Sequence, residues 1–186
     1  MDPRLRLARG RGYHRNMARL RDFLDKINIR AEVAWEEALS LHTSFRIGGP
    51  AEALVAPASR EDLLALLAGA RAEAIPLYVL GGGANVVFPD RGMRGIVVDT
   101  RLLSHIEVQG SLIVAEAGAR VDALCEACRD KALAGLETFY GMPGSLGGAV
   151  YMNARCYEVE VSDRLSWVDS VLPDGSGPER RPARPG

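Results

Sequence analysis

Apolar positions recur with two different periods along the chain, and their alternation outlines an α/β protein. In ARLRDFLDKIN (18–28), Leu20, Phe23, Leu24 and Ile27 fall on one helical face, which predicts an amphipathic helix packed on the domain. AEALVAPAS (51–59) is a short apolar run of strand length. Ser59-x-x-Asp62 follows as a capping-box pattern, and Leu63, Leu64, Leu66, Leu67 and Ala70 form the buried stripe of the helix it opens. Pro76 closes the connection before LYVL (77–80), a second strand. This β-α-β order predicts two parallel strands, with the ligand-binding edge at their carboxyl ends. GIVVDT (95–100) and SLIVAEAG (111–118) read as further strands, separated by a polar turn. A helix is expected over about 120–134, and SWVDSVL (166–172) alternates as a strand.

The flanks lack this periodicity. Residues 1–16 carry five arginines and no apolar repeat, so they read as a disordered basic arm. Residues 174–186 hold proline, glycine and arginine with nothing to bury, and read as a disordered tail. The expected organisation is therefore an arm (1–16), an accessory helical segment (17–40), one lobe over 41–100, a second over 101–173, and the tail.

Composition narrows the function classes. A net charge of -1 over 186 residues gives no electrostatic case for nucleic acid. No apolar run approaches the roughly 20 residues of a membrane helix, so no membrane insertion is expected. Three cysteines, an odd number, argue for a reducing cytoplasm over a disulfide framework. Cys125 and Cys128 lack the second pair that a metal site needs. With Val121, Leu124 and Ala132 they fall on one helix face, so core packing is expected and no metal ligand is assigned. The histidines, His14, His42 and His105, lie outside the glycine loops.

Two of those loops carry the candidate chemistry. LGGGANVVFPD (80–90) begins where the second strand ends. It has no lysine for a P-loop, and Val86, Pro89 and Gly92 do not allow the helix that a Rossmann G-x-G-x-x-G would open. What remains is a non-helical turn in which Gly81, Gly82 and Gly83 can take positive φ. Its N–H groups could form a nest for phosphate oxygens, or the turn could simply join two strands. The second loop, Gly141 to Gly148, packs four glycines and Pro143 into eight residues beside the apolar AVYM. That is more than a turn requires, and it suits a planar ring lying close to backbone.

TSFRIGGPAE (43–52), LGGGANVVFPD, GMRGIVVD (92–99) and GLETFYGMPGSLGGAVYMNA (135–154), in that order, resemble the bacterial UDP-N-acetylenolpyruvoylglucosamine reductases (MurB) over roughly residues 40–172. The resemblance implies an α/β, two-lobed FAD-binding fold of the vanillyl-alcohol oxidase type. It implies that Gly81, Gly82, Gly83, Ala84, Asn85 and Val86 wrap the FAD pyrophosphate. It implies further that Pro143, Gly144, Ser145, Leu146, Gly147, Gly148 and Asn153 line the flavin and the adenine-side lobe, and that 43–49 form an opening strand and turn. NADPH would reduce the flavin, which would pass hydride to a UDP-sugar enolpyruvate in peptidoglycan precursor synthesis. Arg155-Cys156-Tyr157-Glu158 departs from the small-residue turn usual in the family. The family's catalytic arginine, serine and glutamate match no residue here. The expectation is thus of a cofactor-binding part whose catalytic motifs and substrate-binding domain are missing, with a non-catalytic FAD-binding remnant or another flavin oxidoreductase of the fold as the alternative.

Overall fold

The computed structural model describes residues 11–171 and 176–183, with side chains from Asn16 onward. The described residues open with helix α1 (Arg11–Ile27) and strand β1 (Ala31–Ala38). Then come β2 (Pro50–Pro57), α2 (Arg60–Ala72), β3 (Leu77–Leu80) and β4 (Met93–Asp99). These four strands form one sheet in the order β1-β2-β4-β3. β1 runs antiparallel to β2, and both β2 and β3 run parallel to β4. The expected β-α-β unit is therefore present, with β4 inserted between its two strands.

Seven of the eight β2 positions are buried because both faces of the sheet are covered. On one face, Leu20 and Phe23 of α1 and Leu66 and Ala70 of α2 close over Ala53, Val55, Ile96 and Val98. Gly69 lets the two helices touch, since a Cβ there would sit 3.0 Å from the Phe23 ring. Arg21 stacks over Trp35 at 4.2 Å and fixes α1 to β1. On the other face Leu39, Ala51, Leu54, Leu80, Phe88 and Val97 form a second cluster, covered by loops. Those are the loops of the candidate site.

The Ser59 cap is built largely as its spacing predicts. Its hydroxyl accepts from the Asp62 N–H at 3.1 Å and donates to the Asp62 carboxylate at 2.7 Å. The carboxylate then accepts from the Arg30 N–H in place of the Ser59 N–H, which ties the helix start to the residue before β1. The Ser59 bond, and after it the Arg30 N–H, hold Asp62 below the usual carboxylate range. Because the folded value is the lower one, this contribution is present above the ordinary value of about 3.9 and disappears as pH falls through the folded value. Ser59→Ala is expected to cost about 1 kcal/mol in urea denaturation at neutral pH. The deficit of Asp62→Asn against wild type should shrink in titrations below about pH 4.

The second lobe contains the hairpin β5 (Ile106–Gln109) and β6 (Leu112–Ala115), helix α3 (Val121–Asp130) and short helix α4 (Leu146–Tyr151). The two-residue strands β7 (Arg155–Cys156) and β8 (Val159–Glu160) follow, then β9 (Trp167–Ser170) and β10 (Glu179–Pro182). Val121, Cys125, Phe139 and Ala149 form its core. Val121, Leu124, Cys125 and Cys128 are buried, as the helical spacing predicts. Ala132 lies beyond the helix, exposed and at φ 54, so the expected stripe ends one turn earlier.

The structure corrects four expectations. The first helix begins at Arg11, inside the segment read as a disordered arm; residues 1–10 lie outside the described residues. The 17–40 segment is only partly helical, because β1 joins the sheet of the first lobe. The polar turn before SLIVAEAG contains β5. In the tail, 179–182 pair with β9, although Glu179, Arg180 and Arg181 bury nothing. Arg180 grips Asp169 through two bonds of 2.8 Å and lies 5.0 Å over the Trp167 ring.

Candidate functional site

Three loops meet at the turn that follows the carboxyl end of β3. The first follows β1: a 3-10 turn (Leu39–His42) leads into an irregular segment through 43–49, where an opening strand was expected. The second is 81–85, directly after β3. The third is 141–145, which passes into α4, so the latter half of the second glycine loop is helical.

The contacts at this junction explain most of its glycines. Ser44 N–H donates to the Gly83 carbonyl at 3.0 Å, joining the first two loops. A Cβ at Gly83 would lie 1.9 Å from the His42 carbonyl oxygen, and Gly83 has φ +67. A Cβ at Gly82 would lie 2.5 Å from Gly144 Cα, and one at Gly81 would lie 2.5 Å from Ser145 Oγ. Gly147 meets Ala117 in the same way, at 2.8 Å. Of the three consecutive glycines only Gly83 takes positive φ; Gly81 and Gly82 are required for the approach of the loops. This corrects the expectation that all three serve an unusual φ.

Hydrogen bonding separates what the fold uses from what it leaves free. Gly82 N–H donates to Ser145 Oγ at 3.1 Å. Among the described residues, no acceptor is found for the N–H groups of Gly83, Ala84 or Asn85. Gly83 is buried, and a buried backbone N–H without a partner is rare in native folds. Consecutive unpaired donors in a turn are what an anionic oxygen needs. By that criterion, the residues present fit a phosphate-bearing cofactor such as FAD.

The remaining predicted positions lie in four different environments. Val86 packs against the Leu39–Leu54 cluster as a wall of the first lobe. Pro143 is exposed beside Gly144, which has φ +117 and approaches Ala84. Leu146, with Met142 and Ala149, lines an apolar cavity of about 120 Å³ bounded by Val121, Cys125 and Phe139. Asn153 is accounted for by the fold. Its amide donates to Glu160 at 2.7 Å and accepts from Ser162 N–H at 3.0 Å, at φ 44. The loop around His42 is the wall that periodicity and spacing missed; there His42 Nε2 lies 2.9 Å from Glu37 Oε1.

No cluster of three or more histidine, cysteine or acidic side chains able to hold a metal occurs among the described residues. No described helix is long and apolar enough to cross a membrane. Burial pushes the Cys125 thiol up, with Cys128 and Asp122 adding to it, and burial then Glu137 raises Cys128. Only half-buried Cys156 is therefore expected to react rapidly with a thiol reagent at neutral pH; the other two should label on unfolding.

Residues 51–177 match the FAD binding domain family. The UDP-N-acetylenolpyruvoylglucosamine reductase of Caldanaerobacter subterraneus subsp. tengcongensis is 40% identical over 148 residues, 80% of this chain and 49% of the relative. That of Treponema denticola is 42% identical over 142 residues, 74% of this chain and 44% of the relative. The solved structure of the Thermus caldophilus reductase superposes with a TM-score of 0.66 at 30% identity, covering 83% of this chain and 53% of that one. Physcomitrella patens BBE-like 1 shares the fold alone, with a TM-score of 0.61 at 19% identity over 89% of this chain and 38% of its own. The chain spans about half the length of the curated relatives it matches. With the domain matched across both lobes and the glycine loops brought to one junction, the chain belongs to the FAD binding domain family and is similar, over about half their length, to the UDP-N-acetylenolpyruvoylglucosamine reductases.

Proposed function

We propose that this chain holds FAD for the NADPH-dependent reduction of UDP-N-acetylglucosamine enolpyruvate to UDP-N-acetylmuramate, a cytoplasmic step of peptidoglycan precursor synthesis. The observation that carries the reading is the run of unpaired N–H groups at Gly83, Ala84 and Asn85, at the strand ends where a second glycine loop meets the first. Bound FAD would supply hydride transfer between NADPH and the enolpyruvyl carbon.

The chain's own residues hold and orient. The 81–86 turn would take the pyrophosphate oxygens through backbone donors. The 143–148 segment would form the opposite wall, and the 41–100 and 101–173 lobes would hold the cofactor between them. No described residue is assigned the role of proton donor, and the UDP-sugar is assigned no contact in this chain.

Titrating the purified apo-chain with FAD and following flavin fluorescence tests the reading. Saturable binding is expected, displaced by ADP, which carries the pyrophosphate, and far less by riboflavin, which does not. Absence of saturable binding, or riboflavin competing as well as ADP, would overturn it.

A further inference from the structure

Ser145 is 4% exposed and lies where the two glycine loops touch. Its hydroxyl oxygen accepts from Gly82 N–H of the first loop at 3.1 Å and from Gly148 N–H of α4 at 3.4 Å. The first of these bonds spans 63 positions of sequence. On either side the backbone is already committed. Leu146 N–H donates to the Ala119 carbonyl at 2.8 Å, and Val121 N–H donates to the Gly144 carbonyl at 3.4 Å. Ser145 is thereby anchored to the second lobe through backbone pairing with 119–121, and its hydrogen bond to the first lobe is made by its side chain.

From this geometry we infer that Ser145 is a positioning residue that clamps the first glycine loop to the second lobe and sets which N–H groups that loop presents. The hydroxyl takes up Gly82 N–H and leaves those of Gly83, Ala84 and Asn85 unpaired. Without the clamp, Gly82 competes for the same ligand oxygens and the loop loses its register against Gly144. Steric fit reinforces the assignment, since Gly81 and Gly82 leave no room for a Cβ against Ser145 and Gly144. Ser145 acts through Gly82 and touches no reacting atom. Its effect on affinity rests on the FAD reading above; its effect on the loop does not.

The test separates the two. In the ligand-free chain, amide exchange of Gly82 read by NMR is expected to accelerate about tenfold in Ser145→Ala, consistent with loss of one hydrogen bond. Ser145→Thr keeps the acceptor and should restore the wild-type rate. FAD affinity should fall about tenfold in Ser145→Ala and recover in Ser145→Thr. Amides in β2 and α2 should keep their protection, which shows that the alanine variant folds. Unchanged Gly82 exchange, or no rescue by threonine, would overturn the clamp. If the exchange result holds but neither wild type nor variants bind FAD, the clamp stands and the cofactor reading fails.

Discussion

Gly83→Ala is expected to destabilise the protein by about 2–5 kcal/mol and to abolish saturable FAD binding. Two terms add. An alanine at φ +67 costs about 1–2 kcal/mol relative to glycine, and its methyl group would sit 1.9 Å from the His42 carbonyl oxygen. Relieving such a contact moves backbone on both loops, an overpacking cost of about 1–3 kcal/mol. Two controls separate these terms. Gly110 has φ +63 with nothing within 4 Å, so Gly110→Ala carries the conformational cost alone. Gly82 lacks positive φ but would place its Cβ 2.5 Å from Gly144 Cα, so Gly82→Ala carries the packing cost alone. Urea midpoints at constant m-value for the three variants, with FAD titrations beside them, give the comparison. Gly110→Ala should bind FAD as wild type does, and the other two should not. If Gly83→Ala is no less stable than Gly110→Ala, the close approach to His42 is relieved at no cost and the junction is looser than described.

The same junction shows what can be read from sequence and what cannot. Both glycine loops were legible because their glycines cluster beyond the needs of a turn, and the strand before the first loop fixed its place at a sheet edge. Their reason was less legible. Gly81 and Gly82 answer to Ser145 and Gly144, residues more than 60 positions away, and no local rule reports such a contact. Strand β2 was legible because both its faces are buried. Strand β1 was not: Glu32, Glu36 and Glu37 interrupt its apolar positions, Glu36 takes φ 55, and as an edge strand it needs only one buried face. Strand β10 has no apolar signal at all, being held by ladder bonds and by Arg180 on Asp169 and Trp167. The cysteine face was legible because burial and helical period coincide there.

The second large effect concerns Glu52, a carboxylate 2% exposed that no catalytic or cofactor reading uses. Its Oε2 accepts from Gly95 N–H at 2.7 Å and from the Asn16 side-chain amide. It thereby joins α1 to the start of β4, the strand between β2 and β3. Its Oε1 is buried without a partner among the described residues. Glu52→Ala strands the Gly95 donor and opens a void between helix and sheet, so a loss of about 2–4 kcal/mol is expected. Glu52→Gln behaves differently. With the amide oxygen placed where Oε2 lies, both bonds survive, but the NH2 group takes the unpartnered Oε1 position, at a cost of about 1–3 kcal/mol. Its urea midpoint at pH 7 should therefore lie between those of wild type and Glu52→Ala. Two outcomes would break the argument. Glu52→Ala unfolding like wild type would mean the carboxylate does not tie the helix to the sheet. Glu52→Gln falling as far as alanine would mean the two hydrogen bonds at Oε2 do not hold α1 in place.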